Sequence, residues 1–222
     1  MHKQALIILS ILFLFGCSDH QMKKDAVFNK SSQSGVIVLG VILDTPYVNP
    51  SLIFRKYDPN TSSASKNETF IAQPEGSNLQ AQLDYRAKDI QPDVFVLNMP
   101  AGHWFLECIS ASKNDGRTIN SNSSCFSLGT IAFKVEEGRA SYIGEYTIKS
   151  WFSGGIKIKK LADNVEKGRE KLKGFKYVDA DLELQKPSII KYECVKKLVW
   201  INRYECDPDR MQVMNVGVNV IP

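Results

Sequence analysis

The sequence predicts a mainly β chain folded as an antiparallel β-sandwich, with one helix on the C-terminal side and a disulfide-stabilised C-terminal extension. Three observations predict it. At least seven short apolar or alternating segments recur at spacings of roughly 8 to 15 residues, with turn signals between them. Only 161–172 carries the apolar spacing of a helix. Cys108 with Cys125, and Cys194 with Cys206, form two closely spaced pairs in the 222-residue chain.

The first element is a leader. Lys3 precedes an apolar run, Ala5 to Phe15, which ends in Leu14-Phe15-Gly16-Cys17. Apolar runs of about 7 to 15 residues suit an export signal, whereas a membrane span needs about 20. The ending resembles a bacterial lipoprotein signal. That resemblance implies removal of residues 1–16, a diacylglycerol on the Cys17 thiol and acylation of the new amino terminus. Two or more acyl chains anchor stably, because each buried methylene contributes about 0.8 kcal/mol. Ser18 in the second mature position implies, under the sorting rule of enterobacterial lipoproteins, the outer membrane, with its periplasmic side the favoured face and the cell surface the alternative. Residues 17–34 are polar and rich in Lys, Ser and Gln, and read as a flexible tether.

A sandwich domain is expected over 35–160. It opens with Gly35 to Leu43, a continuous β-branched run that reads as a central strand buried on both faces. After the Pro46 to Pro50 turn comes a strand at Leu52 to Tyr57, ended by Asp58-Pro59-Asn60. Weaker strands are expected at Thr69 to Gln73 and Leu79 to Arg86. Asp93 to Leu97 and His103 to Ile109 read as a hairpin around Met99-Pro100-Ala101-Gly102. Thr130 to Val135 and Tyr142 to Ile148 read as another around Glu136-Glu137-Gly138-Arg139, with Tyr142 and Tyr146 on one strand face. Gly102 and Gly138 stand where such turns need a positive φ. Residues 161–222 are then a helix plus a disulfide-containing extension packed on the sandwich. The helix runs over Leu161 to Leu172, with Asp163 as its cap and Leu161, Val165 and Leu172 near one face. A final alternation, Val216, Val218 and Val220, pairs with the sandwich edge.

Two segments carry a family resemblance: Phe95-Val96-Leu97-Asn98-Met99-Pro100-Ala101-Gly102-His103-Trp104, and Phe133-Lys134-Val135-Glu136-Glu137-Gly138-Arg139 continuing through Tyr142-Ile143-Gly144-Glu145. Together they resemble proteobacterial periplasmic lipoproteins with a transthyretin-like or carboxypeptidase-regulatory-like sandwich, over about residues 35–150. The resemblance implies turns and core faces and transfers no catalytic residue. A type VI secretion lipoprotein of the outer membrane, a tethered transthyretin-like sandwich with added helices, is similar in architecture only.

Charge and cysteines bound the chemistry. With 28 basic and 24 acidic residues the chain is near neutral, which argues against a nucleic-acid partner. The lysines of Lys157 to Lys160 and Lys171 to Lys173 read as an edge strand and a solvated helix face. Once Cys17 is lipidated, four cysteines remain, and three pairings are possible. The local pairs Cys108–Cys125 and Cys194–Cys206 are the economical ones, each closing a hairpin-like excursion and contributing about 3 kcal/mol. No Cys-x-x-Cys is present and only His20 and His103 survive processing, so no metal and no cofactor are expected.

Hydrolytic motifs are missing: neither Gly-x-Ser-x-Gly nor His-Glu-x-x-His occurs. His103 reads as a half-exposed strand residue, and Ser153-Gly154-Gly155 as a plain turn. Glu136-Glu137 and Asp179-Asp181-Glu183 read as solvated acids, the latter alternating along a strand, and Asp207-Pro208-Asp209 as a turn. The expectation is a non-catalytic binding or scaffold module held to a membrane by its N-terminal lipid, with an envelope protein as partner. The first contact candidate is the Asn- and Ser-rich loop 112–124, with Asn114, Asp115, Asn120 and Asn122, clamped by Cys108–Cys125. The competing expectation is a glycan or small-molecule binder with weak hydrolase activity, whose cleft Trp104, Trp151 and Trp200 would line. Core packing is the favoured reading of each tryptophan.

Overall fold

The computed structural model describes residues 22–44, 48–72, 93–114, 119–126, 129–150, 156–192, 195–198, 203–205 and 214–215. In chain order the elements are β1 (Val27–Phe28), β2 (Ser34–Asp44), β3 (Val48–Asp58), β4 (Ser63–Ala72), β5 (Asp93–Pro100), β6 (Gly102–Asn114), β7 (Ile119–Cys125) and β8 (Thr130–Val135). Then follow β9 (Ala140–Ser150), β10 (Ile156–Ala162), α1 (Val165–Lys173), β11 (Tyr177–Val178), β12 (Leu182–Leu184), β13 (Ser188–Lys191), β14 (Val195–Leu198), β15 (Arg203–Glu205) and β16 (Met214–Asn215).

Strand alternation sends Ile37, Leu39 and Val41 of β2 to one side and Val36 and Val38 to the other, and all five are buried. A strand with two apolar faces has to lie inside a covered sheet. β2 pairs antiparallel with β5 and parallel with β9, while β10 and β12 share the far edge of β9. The second sheet has the order β16-β13-β8-β6-β3-β4, with β7 on the upper part of β6. Between the sheets, Ile37, Leu97 and Ile148 of the first meet Leu52, Phe54 and Phe133 of the second in one core. The fold is therefore mainly β, a sandwich with one helix among the described residues and a Cys108–Cys125 bond.

The other face of the first sheet carries a second core, in which Val36, Val38, Val96 and Tyr142 pack against Leu172 of α1 and Phe28 of the N-terminal segment. Residues 22–34 are thus not the flexible tether the polar composition suggests. Met22 donates its amide to Val96 O at 2.9 Å, Phe28 is fully buried, and β1 pairs parallel with β11. Met22 and Phe28, apolar residues among polar neighbours, share with α1 and Leu182 the covering of a sheet face that would otherwise be wet.

Several sequence expectations shift. β5 and β6 do not form a hairpin, and neither do β8 and β9: each pair places one strand in each sheet, so the turns at 101 and 136–139 are corners between layers. Gly102 and Gly138 do take positive φ, at 139° and 65°. Tyr142 and Tyr146 lie on opposite faces, Tyr142 in the helix-side core and Tyr146 between the sheets. Gly144 causes this. At φ 111° it inserts an extra residue into β9, so that Val38 pairs with Tyr142 but Gly40 with Glu145. The helix begins later than expected. β10 keeps Leu161 in a strand, 46% exposed, and the N-cap is Asn164, whose Oδ1 accepts from Lys167 N at 3.3 Å. Asp163 instead pairs with Lys160. The C-terminal region is not merely packed on the sandwich, since β12 joins the first sheet and β13 and β16 the second. The strand expected at Leu79 to Arg86 and the alternation from Val216 lie outside the described residues.

Gly168 is buried on the inner face of α1, where a Cβ would lie 2.8 Å from the Tyr142 ring and 2.9 Å from Leu182 Cδ2. The helix seats that close because it lacks a side chain there. Gly168→Ala gains about 1 kcal/mol of helix propensity, yet overpacking costs about 1–3 kcal/mol. A lowered Tm is expected in thermal unfolding, and a raised one would show that Tyr142 and Leu182 give way.

Candidate functional site

The densest buried polar cluster lies where β6 exchanges one neighbour for another. Its first residues, Gly102 to Phe105, pair with β8, and from Cys108 onward it pairs with β7. On its opposite side the register to β3 steps from Phe54↔Leu106 to Ile53↔Cys108, which leaves Glu107 as the extra residue of a bulge. Leu106 and Glu107 are left without ladder partners on the exchange side, and buried carbonyls need donors. Thr130 Oγ1 donates to Leu106 O at 2.7 Å. The Tyr192 hydroxyl and the Phe126 amide both donate to Glu107 O, and the Phe126 amide also reaches Tyr192 Oη at 2.8 Å.

The Glu107 side chain, 3% exposed, faces Arg55, whose Nε stands 2.8 Å from Oε1. That contact is ionic and not aligned as a hydrogen bond. Arg55 Nη1 is held by Ser65 O at 2.9 Å and Lys66 O at 3.2 Å. Burial pushes the Glu107 carboxyl up, and Arg55 pulls it partly back. Burial, and then the Glu107 charge, hold the Tyr192 phenol well above its usual range, so it stays a donor. A raised carboxyl beside a cation is a common feature of catalysis, but this one is closed to solvent. Its groups are spent on the strand junction.

A second cluster surrounds the Gly144 bulge. Glu145 is buried with Lys167 Nζ 3.8 Å away, Tyr146 donates to Ile143 O at 2.6 Å, and the Asn164 amide donates to Tyr142 Oη at 3.3 Å. Burial foremost, and Glu145 next, push Tyr142 up to about 12. Among the described residues, no three of His, Cys, Asp and Glu converge as a metal set.

No family model, curated protein or solved structure matches this chain.

Cys108 and Cys125 are bonded and directly opposed in the β6–β7 register. The segment 112–124 is not a loop over most of its length but a two-stranded ribbon, with Asn114 in β6 and Asn120 and Asn122 in β7. Periodic Ser and Asn pair through their backbones when an antiparallel partner is fixed in register by a bridge. Asp115, Cys17, Cys194, Cys206, Trp151 and Trp200 lie outside the described residues. Val195 pairs with Glu205, the sequence neighbours of Cys194 and Cys206.

Trp104 is a core residue, 2% exposed, with Nε1 donating to Pro100 O. His103 is half-buried with its ring edge against Tyr57. Glu136 lies between Lys134 and Arg139, and the Lys134 hydrogen bond lowers its pKa. Asp179 and Asp181 fall between β11 and β12, not on one strand, while Glu183 meets Arg139 at 3.5 Å. Sequence reasoning passed over Arg55, Glu107 and Tyr192. The available signal was Glu107 itself, a charge inside Trp104-Phe105-Leu106-Glu107-Cys108-Ile109, which announces a buried ion without naming its partner.

Glu107 has a folded pKa above its ordinary value of 4.5, so its ionisation costs stability at neutral pH. That cost fades as pH falls through the raised folded value towards the unfolded one. Without Arg55 the carboxyl rises further. Arg55→Met is expected to cost about 3–5 kcal/mol at pH 7 and clearly less at pH 5 in urea unfolding; equal losses at both would show that the Glu107 charge is not what Arg55 compensates. Replacing Cys108 and Cys125 together by Ser is expected to remove about 3 kcal/mol in urea unfolding under non-reducing conditions; an unchanged midpoint would show that the bridge adds no stability.

Proposed function

We propose that this chain is a lipid-anchored cell-envelope protein that acts as a non-catalytic binding or scaffold module, an accessory subunit of an envelope assembly. The observation that carries the reading is the β6–β7 ribbon. It is closed at its base by Cys108–Cys125, and among the described residues β7 pairs only with β6. The strand β15 lies beside β7 without pairing to it, and a strand edge left unpaired among the described residues offers backbone donors and acceptors to a partner segment. The bridge lowers the ordering cost of that contact, because the ribbon is already fixed before a partner arrives. Further support comes from the Arg55–Glu107–Tyr192 cluster, whose polar groups are engaged in holding the strand junction. The Gly16-Cys17 ending supports the anchor.

In-cell cross-linking of the full chain, followed by affinity purification and mass spectrometry, tests this. A reproducible envelope partner is expected, and its yield should fall at least about tenfold when 112–121 is replaced by an Asn-Gly turn that keeps Ala111 opposite Asn122. Unchanged yield from a folded variant would sink the ribbon as the contact. Recovery of bulk peptidoglycan and lipoproteins alone would sink the assembly role.

A further inference from the structure

The N-terminal segment and the C-terminal end of α1 meet at one corner of the molecule. Lys176 donates its amide to Lys24 O at 3.3 Å, Val27 pairs with Tyr177 and Phe28 with Val178, and the Asp179 amide reaches Phe28 O at 2.9 Å. This brings together the segments that carry Lys23, Lys24, Lys173 and Lys176, all exposed. Beside them Val27 is 69% exposed. The acids at this corner are Asp25 and Asp179, both exposed, so the corner is net positive and carries one apolar residue on its surface.

Its position along the chain gives that charge a partner. Met22 is fixed to the sandwich at Val96 and stands five positions after Cys17, with four residues between them. Five extended steps span at most about 17 Å, whereas a tether running to residue 34 would reach about 60 Å. We infer that the corner formed by Lys23, Lys24, Lys173 and Lys176 docks on a bilayer of anionic phospholipid, so that the sandwich rests against the membrane. The inference depends on lipidation of Cys17 as proposed above. Each lysine near an anionic surface strengthens association about fivefold, over a range of about 8–10 Å at ordinary ionic strength. The short link holds the four lysines close to that range, and Val27 adds an apolar contact at headgroup depth.

The test uses the full chain matured in cells, reconstituted in vesicles of phosphatidylcholine alone or with about 30 mol % phosphatidylglycerol. Amide hydrogen exchange is followed over 22–30 and 171–179, and the mass of the Cys17 peptide is measured in the same samples. At least about fivefold slower exchange on the anionic vesicles is expected, abolished by about 0.5 M salt and by Lys23→Glu, Lys24→Glu, Lys173→Glu and Lys176→Glu together. An acylated Cys17 with equal exchange on both vesicles overturns the docking and leaves the anchor standing. A Cys17 peptide without acyl mass overturns the anchor, and co-sedimentation of that chain independent of phosphatidylglycerol then overturns the docking as well. Protection that persists in salt would show that the charge is not its cause.

Discussion

The two apolar faces of β2 set the architecture. Val36 and Val38 on one side and Ile37, Leu39 and Val41 on the other are all buried, and a sandwich alone covers only one of these faces. The second face requires another layer, and the chain supplies it from two segments far apart in sequence: the one around Phe28, and α1 with the residues that follow it. Burying a Val or Phe side chain stabilises by about 1.5–3 kcal/mol, so leaving this face open would forfeit a large part of a domain's net stability. Gly168, Leu182 and the β1–β11 ladder all serve the closure of that face.

Two bulges let these layers coexist. At Gly144 the extra residue reverses the facing of β9 midway, so that Tyr142 supports the helix and Tyr146 the space between the sheets. At Glu107 the extra residue lets β6 leave β8 and take up β7. Both leave polar groups inside. At the first, Tyr146 donates to Ile143 O, Tyr142 accepts from the Asn164 amide at the helix start and Glu145 faces Lys167; the second is met by Thr130, Phe126, Tyr192 and Arg55. Replacement of a buried ion pair by apolar residues is often neutral or stabilising, so the Arg55–Glu107 pair is better understood as fixing where β6 changes partner than as a source of net stability.

Much of the strand content was legible because it rests on local pattern. The run at 35–43, the turn glycines at 102 and 138, and the Cys108–Cys125 excursion each declare themselves within a short window. What was not legible depends on distant residues. A Gly-containing turn reads the same whether the chain reverses within a sheet or crosses between sheets, so the corners at 101 and 136–139 looked like hairpins. Met22 and Phe28 looked like parts of a tether because the surface they cover is built by residues far along the chain. The Tyr142 and Tyr146 facing was missed because one glycine inside a strand does not reveal that it adds a residue. Of the candidate site, the ribbon's bridge was visible and its strand character was not, while Glu107 stood out without its partners.

The parallel pairing of Val27 and Phe28 with Tyr177 and Val178 also orders events in time. Contacts so far apart in sequence form late, because loop closure must come before the contact that rewards it. In a chain that emerges N-terminus first, the β6–β7 ribbon and its disulfide need only local residues and can close early. The cover over β2 has to wait for α1 and β11. Through that interval Met22 and Phe28 are not yet held in the helix-side core, and Val36 and Val38 stay open to water. The last segments to arrive are therefore the ones that dry this face.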